Sequence, residues 1–89
     1  MKLEETGLTF EDIKEKVNKY MIETYERMDF LAESAKDQYI YNEKGEKYLD
    51  FYAGIAVNSA GSCNEKVVKA VVDQAQTLMH TFNYPYTIP

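Results

Sequence analysis

The sequence predicts a single small α+β domain, with an N-terminal helix, a β-hairpin or small antiparallel sheet, and a second amphipathic helix. Three patterns predict this fold class: apolar residues at helical spacing over 9–23, aromatic and branched residues on both sides of a glycine turn within 38–60, and a second helical period over 64–80. A chain of 89 residues with 45% hydrophobic and 28% charged residues has the length and balance of one globular domain.

The first helix is predicted over 9–23, after a flexible start at 1–8. Thr9 followed by Asp12 fits a capping box, in which the hydroxyl accepts from a free amide at the helix start. Acidic residues come early in the segment and a lysine comes late, which suits the helix dipole. The segment 24–37 is predicted to be irregular. The apolar positions at helical spacing are Phe10, Ile13, Val17, Tyr20 and Met21.

The segment 38–60 is predicted to hold a hairpin and a stretch of small residues. Aromatic and branched residues at 39–41 and 46–51 flank a loop that ends in Gly45, where a positive φ is expected. The stretch from Ala53 to Gly61 is small and apolar, and it fits either a short strand or a close-packed loop. Small residues there would let another backbone or a ligand approach closely.

The second helix is predicted over 64–80, with Asn64 as its cap, and 81–89 as an extended arm. After Asp73 the sequence contains no Lys, Arg, Asp or Glu, and it is rich in aromatic and aliphatic residues. Such a tail either folds back on its own domain or packs on another part of the protein or on a partner subunit. The charge-free composition favours the second interpretation.

Several classes of function are disfavoured by composition. A net charge of -5 argues against nucleic acid or an anionic membrane as the main partner. No apolar run reaches the length of a membrane span, and a single Cys with no signal segment favours a cytoplasmic location. Cys63 and His80 lack the spacing of metal ligands, so no metal site is expected.

One run of residues resembles a known signature. Tyr48 to Asn58, in the order Tyr-Leu-Asp-Phe-Tyr-Ala-Gly-Ile-Ala-Val-Asn, is similar to the YLDF-x-AGIAVN signature of class III aminotransferases. These are pyridoxal-phosphate enzymes of fold type I, and they include acetylornithine, ornithine and 4-aminobutyrate aminotransferases. Further similar segments stand at 24–27, 61–64, 67–70, 74–75 and 80–83, so that the resemblance covers about residues 20–89. Departures from the usual family residues are Ser62, Asn64, Glu65 and Phe82.

The resemblance implies an N-terminal segment of a larger enzyme, forming part of the small domain of a fold type I protein. In the family, the lysine that carries pyridoxal 5'-phosphate lies in the large domain, beyond the part that this chain resembles. The resemblance therefore implies that residues 81–89 lead toward a missing large domain. It also implies that this chain alone binds no cofactor and is inactive, with no catalytic, cofactor-binding or metal-binding residue of its own. The intact enzyme would be a homodimer moving an amino group from an amine or amino acid to a 2-oxo acid.

The resemblance also suggests substrate-side residues. Tyr25 and Ile55 match substrate-side positions of the family, and Val57 and Asn58 lie nearby as further candidates. The hydroxyl of Tyr25 would contact a substrate carboxylate, and Ile55 is apolar where some relatives carry Tyr, which would change selectivity. The alternative is a non-catalytic interaction module, or a split subunit that pairs with a separate large domain.

Overall fold

The computed structural model describes residues 1–88 and contains four helical segments and a three-stranded antiparallel sheet of order β1-β2-β3. It confirms the predicted α+β class, with a helix on either side of the sheet in chain order. The elements are α1 (Leu3–Thr6), α2 (Phe10–Tyr20), β1 (Ala32–Lys36), β2 (Tyr39–Asn42), β3 (Lys47–Leu49), α3 (Ala53–Ala56) and α4 (Glu65–Thr77).

The start of the chain differs from the flexible segment predicted over 1–8. It contains the helical turn α1, which ends at Gly7 with φ 69. The backbone N–H of Leu3 donates to Glu33 Oε1 at 2.7 Å, so this turn is attached to strand β1. This turn cannot be predicted from hydrophobic spacing, because four residues are too few to show a helical period.

Helix α2 begins with the predicted capping box and ends earlier than predicted. The amide of Asp12 donates to Thr9 Oγ1 at 3.1 Å, and the amide of Thr9 donates to Asp12 Oδ2 at 2.8 Å. The Thr9 hydroxyl also donates to this carboxylate, which lowers the pKa of Asp12. The helix stops at Met21, which is extended with φ -107 and ψ 141, and not at residue 23 as predicted. The apolar spacing continues through Met21 and therefore predicts a longer helix than the one that forms.

Strand β1 lies in the segment that was predicted to be irregular, so that prediction is wrong for Ala32–Lys36. Its sequence, Ala-Glu-Ser-Ala-Lys, lacks the branched and aromatic residues that mark strands. Pairing with β2 defines it, for example between Ala35 and Ile40, and the register shifts between Ala32 and Ser34. The strand is therefore set by its partner and not by its own propensity.

The predicted hairpin is confirmed, and Asn42 organises its loop. Asn42 is buried, and its Oδ1 accepts from the amides of Lys44 at 3.1 Å and Glu46 at 2.8 Å. Its Nδ2 donates to Glu46 Oε2, and this bond lowers the pKa of Glu46. Gly45 takes the expected positive φ, at 75. The loop thus satisfies its own backbone groups through one side chain.

Helix α4 is capped by Asn64, as predicted, and leaves its apolar face uncovered. The side-chain oxygen Oδ1 of Asn64 accepts from the amides of Lys66 at 3.1 Å and Val67 at 3.3 Å. The helix ends at Thr77, before the predicted residue 80, because Leu78 is extended with φ -160 and ψ 106. Val71 on the apolar face is 62% exposed.

Across residues 1–88 no apolar side chain is buried; the buried residues are Asn42 and Ser62. In the arm predicted over 81–89, the rings of Phe82 and Tyr84 meet edge to face at 5.4 Å, and both side chains remain exposed. Its last residue, Pro89, lies outside the described residues. Within those residues the tail therefore does not fold back onto an apolar core of this chain.

Candidate functional site

Segment α3, which follows β3, is a single left-handed turn. It forms the start of the stretch from Ala53 to Gly61, for which a short strand or a close-packed loop is predicted. Ala53, Gly54, Ile55 and Ala56 have φ values of 49, 61, 59 and 61. Outside glycine, left-handed helical backbone costs roughly 1–2 kcal/mol per residue, because Cβ crowds the following carbonyl. Backbone strain of this kind tends to occur at functional sites. Residues 53–56 are therefore a candidate part of a functional site.

Hydrogen bonds at its start and within it hold the turn. Asp50 Oδ1 accepts from the amides of Tyr52 at 2.8 Å and Ala53 at 2.9 Å. Inside the turn, the amide of Ala56 donates to the carbonyl of Tyr52 at 3.1 Å, and that of Asn58 donates to the carbonyl of Ala53 at 2.9 Å. These contacts fix a conformation that the residue types alone disfavour.

The loop that contains this turn is anchored to the β1–β2 connection at both ends. At the first end the amide of Asp50 donates to the carbonyl of Gln38 at 2.8 Å. At the second end Asp37 and Ser62 exchange two backbone hydrogen bonds, each of 2.8 Å. Gly61 permits this approach, because a Cβ there would lie 3.2 Å from the Asp37 Cα. The sheet thus sets the position of the whole loop.

An open hollow of about 1390 Å³ lies between the α2 side of the chain and the end of β3. Tyr25 and Ile55 both line it, so the structure brings together two of the predicted substrate-side residues. Val57 and Asn58 are not among its lining residues. Val57 is 77% exposed, and Asn58 contributes to the turn through its backbone. Apolar residues that line the hollow include Phe10, Ile13, Val17, Phe30, Leu49 and Phe51.

Arg27 is a polar residue of this hollow that the sequence analysis did not single out. Its guanidinium carbon lies 5.3 Å from the centre of the Tyr25 ring, which is cation–π distance. An arginine can bind a carboxylate through two parallel hydrogen bonds. Four acidic residues also line the hollow: Glu23, Glu26, Asp29 and Asp50. The sequence signal for Arg27 is the Thr-Tyr-Glu-Arg segment at 24–27, which is part of the resemblance.

Among the described residues, Lys14 is the lysine that lines the hollow, and it is held as a cation. Its Nζ lies 2.8 Å from Asp29 Oδ1 and 2.5 Å from Glu11 Oε1. The hydrogen bond to Asp29, and then that to Glu11, raises the pKa of Lys14. A lysine that attacks a carbonyl must be neutral, and a raised pKa opposes this. The two carboxylates therefore hold Lys14 as a cation, which cannot attack a carbonyl.

Metal chemistry has no cluster to support it in the described part of the chain. Within residues 1–88 there is no group of three or more His, Cys, Asp or Glu side chains placed to hold an ion. Within the same range, no helix is long and apolar enough to span a bilayer.

Tyr25 and Ile55, two candidates that the resemblance suggests, line the same hollow. The sequence profile described as Aminotransferase class-III matches residues 20–88. The chain belongs to the class-III aminotransferase family. That profile extends across the sheet, helix α4 and the exposed arm, and it includes Tyr25, Arg27 and Ile55 of the hollow.

Among individual relatives, the chain is 48% identical over 71 residues to an acetylornithine aminotransferase of Methanocaldococcus jannaschii, covering 80% of this chain and 18% of that protein. It is 43% identical over 67 residues to the mitochondrial acetylornithine aminotransferase of Neurospora crassa, covering 75% and 14%. The chain therefore spans about a fifth or less of the length of these relatives.

Solved structures show the same fold. An ornithine aminotransferase of Toxoplasma gondii superposes with a TM-score of 0.85 at 24% identity, covering 96% of this chain and 20% of that one. A second structure of the Toxoplasma gondii enzyme, with partial occupancy of PLP at its active site, gives 0.85 at 26% identity and covers 96% and 21%. Acetylornithine aminotransferase of Elizabethkingia anophelis gives 0.83 at 24%, covering 88% and 20%.

Proposed function

We propose that this chain is the N-terminal segment of an aminotransferase that moves an amino group from acetylornithine, ornithine or a similar amine to a 2-oxo acid such as 2-oxoglutarate. The observation that carries the proposal is the match of residues 20–88 to the class-III profile. The 48% identity to an acetylornithine aminotransferase favours acetylornithine as the amino donor to test first.

In this proposal the chain supplies the substrate side of the pocket. The Tyr25 hydroxyl and the Arg27 guanidinium bind a carboxylate of the substrate, and Ile55 limits the space beside it. Apolar residues such as Phe51 line the same open hollow. Val57 and Asn58, which do not line the hollow, act at most through the loop that carries Ile55.

We assign pyridoxal 5'-phosphate to the intact protein, because the chain matches the class-III aminotransferase profile and a solved structure of similar fold holds this group. When bound to an enzyme, this group acts as an electron sink for the carbon that loses its amine. The lysine that carries it is assigned to the part of the relatives' length that this chain does not span. We therefore expect the 89 residues alone to be inactive and to retain no cofactor.

The exposed apolar faces support further elements of the proposal. Helix α4 and the arm around Phe82 leave large side chains exposed, and burying such a side chain contributes about 1.5–3 kcal/mol. A large domain and a second subunit of a homodimer would cover these faces.

We assign the intact protein to the cytoplasm. A non-catalytic module or a split subunit is the alternative.

The proposal is tested with the intact protein supplied with pyridoxal phosphate. Tyr25→Phe and Arg27→Met are each compared with Tyr20→Phe, whose tyrosine is exposed and outside the hollow. We expect KM for the carboxylate substrate to rise in the first two variants and to stay unchanged in the control. Equal kinetics in all three variants would remove the hollow from the substrate site.

A further inference from the structure

The left-handed turn Ala53–Ala56 needs a specific restraint. Three of its residues are not glycine, and Ile55, with φ 59, is β-branched. A β-branched residue in this region of backbone space is a true outlier. Such conformations persist only where surrounding contacts determine them. The question is which contact holds this turn and what the turn places.

The side chain that makes this contact is Asp50. Its Oδ1 accepts from two successive amides, those of Tyr52 at 2.8 Å and Ala53 at 2.9 Å, at the entry to the turn. Asp50 is itself fixed, because its amide donates to the carbonyl of Gln38 at 2.8 Å, at the end of the sheet. It is half-buried, whereas the turn residue Ile55 is 77% exposed. The carboxylate therefore joins the rigid sheet to the strained turn.

The turn places one side chain in the hollow. Of residues 53–56, Ile55 is the one that lines it, and Tyr25 lines the same hollow. If the backbone of this turn shifted by one residue, the Ile55 side chain would leave the hollow, because consecutive side chains of a turn point in different directions. The position of Ile55 thus depends on the conformation that Asp50 holds.

We propose that Asp50 is a positioning residue, which holds the left-handed turn and thereby fixes Ile55 in the hollow, where Ile55 determines selectivity among amino donors. The selectivity role rests on the proposed function. Both amides donate to the same oxygen, so the geometry asks for one acceptor and not for a charge. An asparagine can supply that oxygen, and an alanine cannot.

The test uses the intact protein and the ratio of kcat/KM for acetylornithine to that for ornithine. Asp50→Ala is expected to change this ratio by about fivefold or more, which is within the range that a misplaced apolar contact produces. Asp50→Asn should stay within about twofold of the unmodified protein, because the acceptor oxygen is kept. Asp73→Ala, which removes an exposed carboxylate of helix α4, is the matched control and should leave the ratio unchanged.

A double-mutant cycle separates positioning from direct contact. If Asp50 acts through Ile55, then Asp50→Ala in an Ile55→Ala background should change the ratio by less than about twofold. An equal change in both backgrounds would overturn the proposal. A loss in Asp50→Asn as large as in Asp50→Ala would also overturn it, because the charge and not the oxygen would then matter.

A second readout needs no activity. Hydrogen exchange of the amides of Tyr52 and Ala53 should accelerate in Asp50→Ala and remain slow in Asp50→Asn and Asp73→Ala. Unchanged exchange in Asp50→Ala would overturn the tether even if transamination is observed. If the unmodified protein transaminates no donor, the proposed function and the selectivity role fail, and the exchange rates still decide whether Asp50 holds the turn.

Discussion

Substituting Ala56 by glycine should stabilise the protein, against the usual effect of glycine. Ala56 has φ 61, where a residue with a Cβ costs roughly 1–2 kcal/mol. Glycine removes that cost. It also lowers the free energy of unfolding by about 0.5–1 kcal/mol, because the unfolded chain has greater conformational freedom. The difference between the two ranges is about 0–1.5 kcal/mol, so the expected net gain is roughly 0.8 kcal/mol.

The matched control is Ala70→Gly, in the right-handed helix α4. Both alanines are exposed, so neither change removes a packed methyl group. Glycine in place of Ala70, within a right-handed helix, should lower the free energy of unfolding by about 0.5–1 kcal/mol. The two variants of the intact protein are compared by their urea midpoints, which should move in opposite directions from the unmodified protein. Midpoints lowered equally in both variants would refute the assignment of a strained left-handed turn.

Four further predictions concern the hollow, the hairpin and the arm. Tyr25→Phe should raise KM for the carboxylate substrate in steady-state assays by an amount equivalent to about 1–2 kcal/mol, and unchanged kinetics would assign the ring to packing. Asn42→Ala should lower the free energy of unfolding by roughly 1–3 kcal/mol in urea titrations, because it leaves loop amides without acceptors; an unchanged midpoint would contradict this. The hydrogen bond from Asn42 lowers the pKa of Glu46 in the folded protein. The ionised Glu46 side chain therefore stabilises the fold above its pKa in the unfolded chain, and this stabilisation is lost as pH falls through its pKa in the folded protein. Glu46→Gln should therefore flatten the decline in the urea midpoint between about pH 6 and pH 3, and an identical decline would argue against it. The 89-residue chain should self-associate in sedimentation velocity, less so with Phe82→Glu, whereas a monomer at all concentrations would contradict an assembly role for the arm.

The elements that the sequence predicted are those whose signal is local. Thr9 and Asn64 mark helix starts because a cap needs only its own side chain and the next few amides. The hairpin around Gly45 was predictable for the same reason, since its loop is closed by Asn42 nearby. Strand β1 was not predictable, because its Ala-Glu-Ser-Ala-Lys sequence becomes a strand only by pairing with β2.

The candidate site was predicted in part. The resemblance singled out Tyr25 and Ile55, which the fold brings to one hollow, and Val57 and Asn58, which do not line it. The left-handed turn could not be predicted from a small-residue segment, because its handedness depends on the two hydrogen bonds to Asp50. Long-range geometry of this kind leaves no period in the sequence.

The central claim is that the intact protein is an aminotransferase, and one assay tests it most directly. The purified intact protein is incubated with pyridoxal phosphate, 2-oxoglutarate and acetylornithine, and glutamate and the aldehyde product are both quantified. We predict that the two products form in equal amounts over many turnovers, with Tyr25→Phe slower at low donor concentration. No glutamate from acetylornithine, ornithine or 4-aminobutyrate would contradict the account.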